Sequence, residues 1–166
     1  MRKILQAIDA VNKFLGNIMG YINIFVVVMV CWEIVARYVF NAPTLWATES
    51  MIMACGFMTL LAGGYAALHQ RHVRIDMVYS LLGAKTQSIC DIIAYCFFCL
   101  LMYALIWHGS LFAWDAILVR ETAGTPWDPI IYPLKMAVPI GAFLIWLQVT
   151  AHLIRKTYRT FTGEEL

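Results

Sequence analysis

The sequence predicts an all-α membrane protein: four transmembrane helices, both termini on the cytoplasmic side, and an N-terminal amphipathic interfacial helix. Three observations predict it. Of the 166 residues, 62% are hydrophobic and 13% charged, whereas a soluble domain carries about 25% charged residues. Every Lys, Arg, Asp and Glu lies outside four windows, Phe14 to Trp32, Ser50 to Leu68, Ile92 to Trp114 and Met136 to Ile154. At about 1.5 Å of rise per residue, about 20 residues cross a hydrocarbon core about 30 Å thick, which each window can do. The basic residues are also divided by side: Arg2, Lys3, Lys13, Arg71, Arg74, Lys85, Arg155, Lys156 and Arg159 against Arg37, Arg120 and Lys135. Basic residues near spans favour the cytoplasm, so both ends are expected inside.

The elements follow in order. Residues 1–14 carry Ile4, Leu5, Ile8, Val11 and Phe14 at helical spacing, with Arg2, Lys3, Asp9 and Lys13 on other faces. That pattern predicts an amphipathic helix lying on the inner membrane surface or docked on a partner. Spans are expected at about 15–40, 46–68, 88–114 and 133–155 of this sequence, each near the length a bilayer requires. Between the second and third, Asp76 can cap a short helix carrying Met77, Val78, Leu81 and Leu82 that ends at Gly83. Gly124, Pro126 and Pro129 forbid a continuous helix in the last outer loop. Trp32, Tyr38, Trp46, Trp107, Trp114, Trp127 and Tyr132 gather toward the outer boundary, where amphipathic rings settle. The whole chain reads as one four-helix membrane domain, with no internal repeat of the kind many self-sufficient secondary transporters show.

Few residues suggest chemistry. Glu33 and Arg37 stand at i and i+4, the favourable order for a helical ion pair. Counted from Phe14, Glu33 lies about 29 Å along the helix, at the outer edge of the core rather than mid-depth, which favours a structural or subunit-facing pair. His69 and His72 fall in the inner loop, His108 toward the outer end of the third span and His152 at the inner end of the fourth, so no two span histidines share a level for axial haem ligation. Cys96 and Cys99 form a C-x-x-C without further ligands nearby and are expected to pack as small hydrophobes. No cofactor and no metal is expected, and scattered basic residues give nucleic acid no footprint. Gly63 and Gly64 leave a face of the second span without bulk, allowing close helix approach. Gly16 and Gly20 form a weaker GxxxG pair, and Pro139 with Gly141 either kinks the fourth span or begins it.

Two stretches point to a family. Arg37-Tyr38-Val39-Phe40-Asn41-Ala42-Pro43 is followed by Trp46 and Glu49, and Gly63-Gly64-Tyr65 leads through His69 to His72-Val73-Arg74-Ile75-Asp76. With Pro126-Trp127-Asp128-Pro129 before the last span, they resemble the small permease subunit of tripartite ATP-independent periplasmic (TRAP) transporters, over the whole length of the chain. On the residues alone, Arg37, Asn41 and Glu49 can bind one another across the first outer turn, and Arg74 and Asp76 can fix the inner loop. A contact of either set with a partner subunit is the other reading.

The resemblance implies residence in the bacterial inner membrane and a three-part uptake system. A periplasmic substrate-binding protein delivers an organic anion, and a large membrane subunit carries it inward with sodium ions. The substrate and sodium sites belong to the large subunit, and the small one supplies a stationary scaffold, widened against membrane lipid, for an elevator-type motion. Two other classes compete. A small multidrug-resistance-like proton-coupled exporter has four helices and a membrane glutamate, but is usually shorter and holds that glutamate near mid-depth. A b-type haem subunit would require paired histidines.

Overall fold

The computed structural model describes residues 2–69 and 84–162. His72, Arg74 and Asp76, and the short helix expected around Asp76, lie outside the described residues. The described chain forms α1 (Arg2–Tyr38), α2 (Leu45–Leu68), α3 (Ala84–Leu118) and α4 (Tyr132–Thr162). All four are long and apolar enough to cross a membrane, and the described residues contain no strand, only an isolated bridge between Thr122 and Ile130. The start of α1 and the end of α4 lie at one end of the array, called the termini side below; the opposite end, with residues 39–44 and 119–131, is the far side.

Helix α1 is one uninterrupted 37-residue helix. Residues 2–14, read from sequence as an amphipathic helix of their own, are its first turns. No proline stands between Arg2 and Tyr38, so nothing ends the hydrogen-bond ladder before the span begins. Within these turns Leu5 is buried and Ile8 half-buried, while Ile4, Val11 and Phe14 point outward. The buried set runs along all of α1 at intervals of seven, Leu5, Asn12, Met19, Val26 and Glu33. Ile8, Leu15, Ile22 and Met29 are half-buried beside it, and Ala36 is buried. A seven-residue repeat keeps one seam against a neighbouring helix, as in a coiled coil.

The ends of the helices have local causes. After α1, Asn41 adopts a left-handed backbone (φ 51°) and Ala42 returns its N–H to the Ala36 carbonyl at 2.9 Å, with Pro43 next. Asn tolerates that conformation and proline cannot extend the helix. At the end of α3, Arg120 is left-handed (φ 49°), its N–H reaching Ile117 O at 3.1 Å and the Glu121 N–H reaching Ala116 O at 2.9 Å. That is the Schellman pattern, with arginine in glycine's usual place. Pro139 is eight residues into α4; it lies inside the helix and does not begin it.

The helices form an open row in the order α1, α2, α4, α3, with a smaller direct contact between α1 and α4. Helix α4 is the most enclosed: 28% of its most apolar stretch is buried, against 17% or less in the others. Lipid supplies no hydrophobic drive for helices to associate, so close packing and hydrogen bonds must hold them. Close packing is evident between α2 and α4. A Cβ at Gly141 would strike the Leu60 backbone carbonyl, and one at Gly63 would lie 2.5 Å from Ile145 Cδ1. The small-residue face read from Gly63 and Gly64 is thus in use. Gly16 meets the Tyr65 ring, whereas Gly20 has nothing within 4 Å.

Candidate functional site

On the termini side, α1 and α4 are joined by a chain of polar side chains. Asn12 Nδ2 donates to Gln148 Oε1 at 2.7 Å and to the Ile8 carbonyl at 3.2 Å. Gln148 Nε2 donates in turn to Asp9 Oδ1 at 2.8 Å, and Asp9 receives Arg155 Nη1 at 3.2 Å and Nη2 at 2.6 Å. His152 Nε2 is 3.5 Å from Gln148 Nε2. Gln148 and Asn12 are the two largest fully buried side chains among the described residues. Gly64 makes the contact possible, because a Cβ there would overlap Asn12 Oδ1. That oxygen is buried and finds no hydrogen-bond donor.

On the far side the carboxylate of Glu33, only 8% exposed, gathers every donor in reach. Arg37 Nη2 reaches Oε1 at 2.9 Å and Arg37 Nε at 3.3 Å. The backbone N–H of Thr44 lies 3.2 Å from Oε2, and the Thr44 hydroxyl donates to the same oxygen. Thr44 is the N-cap of α2, yet its side chain does not cap that helix. Its hydroxyl is turned to Glu33 instead, so an acidic side chain of α1 sits at the N-terminus of α2, where the helix dipole favours negative charge.

A second far-side group orders the loop before α4. Thr125 Oγ1 donates to Glu49 Oε2 at 2.8 Å and accepts the Asp128 N–H at 3.2 Å, while Asp128 Oδ1 accepts the Gly124 N–H at 2.8 Å. Lys135 Nζ pairs with Glu121 at 2.5 Å and lies 3.9 Å from the centre of the Phe112 ring. The loop is thereby tied to α2 at one point and to α3 and α4 at another.

Of the residues singled out from sequence, Glu33 and Arg37 are brought together. The wider clamp of Arg37, Asn41 and Glu49 does not form: Arg37 turns back to Glu33, Glu49 reaches Thr125, and exposed Asn41 serves the turn through its backbone. Thr44, not Asn41, closes the turn onto α1 because its N–H and hydroxyl both face the Glu33 carboxylate. Trp46 is 44% exposed in the first turn of α2. Cys96 is exposed and Cys99 only half-buried, both free thiols, and among the described residues no three His, Cys, Asp or Glu side chains converge as a metal site.

Sequence reasoning missed Asp9, Asn12, Gln148 and Arg155 as a unit, and Thr44 and Thr125 as partners. Two signals were there. Asn12 interrupts an apolar seven-residue repeat, and Gln148 is the sole amide between Met136 and Ile154; neither carries a charge that would mark it.

Asn12 and Glu33 stand 21 residues apart on one helix, about 31 Å at 1.5 Å per residue, which matches a hydrocarbon core about 30 Å thick. The seam between them, Leu15, Met19, Ile22, Val26 and Met29, is apolar throughout. Two polar fastenings about one hydrocarbon thickness apart, with an apolar seam between them, and four helices long and apolar enough to span define a multi-pass membrane protein.

A family model described as "Tripartite ATP-independent periplasmic transporters, DctQ component" matches residues 26–159. The chain belongs to that family and is a small TRAP transporter subunit. It is also similar to a C4-dicarboxylate TRAP transporter small permease protein of Vibrio cholerae serotype O1, 24% identical over 129 residues, which cover 77% of this chain and 53% of that protein. The chain thus spans about half the length of that curated relative.

Proposed function

We propose that this subunit is the stationary brace of a sodium-driven uptake transporter for an organic anion in the bacterial inner membrane. A large membrane subunit carries the substrate by an elevator motion, and a periplasmic binding protein delivers it. The observation that carries the reading is the lack of polar side chains in the seam between Asn12 and Glu33. The buried polar groups that are present spend their hydrogen bonds on joining helices. Among the described residues the four helices form an open row, with no enclosed interior through which a solute could pass. Its breadth suits a frame that must resist the movement of a neighbour.

The termini side is the cytoplasmic side in this reading, supported by the excess of basic residues there. Exposed Trp46 and the turn at Asn41 are assigned to contacts with the other components, as are His72, Arg74 and Asp76 outside the described residues, on the strength of the family motifs. A C4-dicarboxylate is the cargo named for the Vibrio relative, which makes a small carboxylate the first substrate to test. Glu33 counts against the proton-exporter alternative. It is held by Thr44 and Arg37 at the far end of α1, where an exchanging carboxylate would need to be free at mid-depth.

The test is reconstitution of this chain with a large TRAP membrane subunit and a periplasmic binding protein. Sodium-dependent carboxylate uptake that is lost when this chain is left out supports the brace. Uptake that proceeds equally without it overturns the proposal.

A further inference from the structure

The fastening at Glu33 leaves part of Arg37 unspent. Nε and Nη2 of the guanidinium both donate to Glu33 Oε1, and among the described residues Nη1 meets no acceptor. Glu33 cannot turn to serve it, because its other oxygen is held by the Thr44 N–H and hydroxyl. The Arg37 side chain is 50% exposed against 8% for Glu33. The pair is therefore one-sided: the carboxylate is enclosed, and the guanidinium presents its free edge outward.

That edge borders a cavity of about 210 Å³ between α1 and α2, lined by Val30, Glu33, Ile34, Arg37, Tyr38 and Met51. Tyr38 is exposed, and its hydroxyl makes no hydrogen bond among the described residues. Toward the termini side the lining turns apolar. Val27, Val30 and Ile34 follow one another at intervals of three and four along α1, all exposed, so they form one track on the helix surface. Met51 of α2 walls the cavity opposite them. A charged, hydrogen-bonding mouth thus opens onto hydrocarbon, in an order set by the chain itself: apolar as far as Ile34, then Arg37 and Tyr38, then the turn at Asn41. A larger cavity of about 410 Å³ between the same two helices has Met19, Phe25 and Phe57 in its wall but no charged group, so it selects nothing beyond hydrocarbon.

We propose that the cavity at Arg37 is a phospholipid site. The lipid phosphate takes the free guanidinium edge of Arg37 and the Tyr38 hydroxyl, and an acyl chain lies along Ile34, Val30 and Val27. The planar fork of arginine matches phosphate, and hydrogen bonds between charged groups are the stronger kind. A phospholipid joins an anion to hydrocarbon, as the two halves of the site require; free phosphate supplies only the first and a diacylglycerol only the second. Bound there, the lipid anchors the far end of α1 to the headgroup layer, beside the ion pair that closes the turn into α2. A carboxylate from another subunit is the competing occupant.

Native mass spectrometry of the full chain in a phosphate-free detergent reads the bound lipid, with dioctanoyl phosphatidylglycerol, dioctanoylglycerol and inorganic phosphate as probes. Phosphatidylglycerol is expected to bind about tenfold more tightly than dioctanoylglycerol, the scale of one charge-assisted hydrogen bond. Equal binding of the two, or equally tight binding of inorganic phosphate alone, overturns the site. Ile34→Trp fills the apolar track without touching Glu33, Arg37 or Thr44. With helix content unchanged, it is expected to weaken phosphatidylglycerol by about tenfold, as overfilling a packed space does; unchanged affinity contradicts the site. A second measurement needs no variant: in the assembled complex, a phosphatidylglycerol carrying a diazirine in its acyl chain is expected to label residues 27–38 or Met51. Labelling confined to other segments overturns the proposal and gives the Arg37 face to a neighbouring subunit.

Discussion

Asn12 and Gln148, 136 residues apart in the chain, meet through a 2.7 Å hydrogen bond that is the buried link between the first and last helices. Because α2 lies between those helices along most of the row, the contact exists only where Gly64 leaves room for it. In lipid, where apolar burial does not distinguish one helix arrangement from another, such a bond fixes which helices are neighbours.

Gln148→Leu removes the acceptor for one buried Asn12 N–H and one of the donors to Asp9, which keeps Arg155. The expected loss is about 1–3 kcal/mol, read as a lower unfolding midpoint in detergent. Asn12→Leu combined with Gln148→Leu is expected to lose less than the two single changes added together, because neither partner is then orphaned. Additive losses would show that the two amides do not act as a pair.

Glycine positions provide a sharper steric test. At Gly141 an added methyl would meet the backbone carbonyl of Leu60, which no rotamer change can move, so Gly141→Ala is expected to separate α2 from α4 and cost about 1–3 kcal/mol. Gly20→Ala, facing open space, is expected to be neutral or slightly stabilising through helix propensity. The same thermal unfolding series reads both.

Glu33→Gln keeps the side-chain shape but gives up charge-assisted bonds to Arg37 and Thr44. Unfolding should occur at a lower temperature, while the sodium dependence of uptake by the complete transporter stays the same. A changed sodium stoichiometry would make Glu33 part of an ion site and remove the purely structural role assigned to it.

For the far-side loop, Thr125→Val deletes the hydroxyl that joins Glu49 to the Asp128 backbone. Amide hydrogen exchange over residues 119–131 is expected to speed up, with exchange in α2 and α4 unchanged. Unaltered exchange in the loop would mean that this bond does not hold it.

Much of the fold was legible because membrane helices announce themselves by length and the absence of charge. The termini side was harder to read. Ile4, Val11 and Phe14 are apolar at helical spacing and point away from the other helices, while Asp9 and Asn12 face inward. Hydropathy cannot tell a lipid-facing side from a protein-facing one, since both are apolar. Only the seven-residue interval linking Leu5, Asn12, Met19, Val26 and Glu33 marks the packed side. At the far side, the ion pair of Glu33 and Arg37 could be read from their spacing of four. The contribution of Thr44 could not, because it depends on how the turn at Asn41 folds back over α1.

The most direct test of the central claim, that this chain braces a pathway and contains none, is solute flux with the purified chain alone in sealed vesicles. Under a sodium or proton gradient, labelled carboxylate should enter no faster than into protein-free vesicles. Sustained, gradient-dependent entry that scales with the amount of this chain would contradict the account.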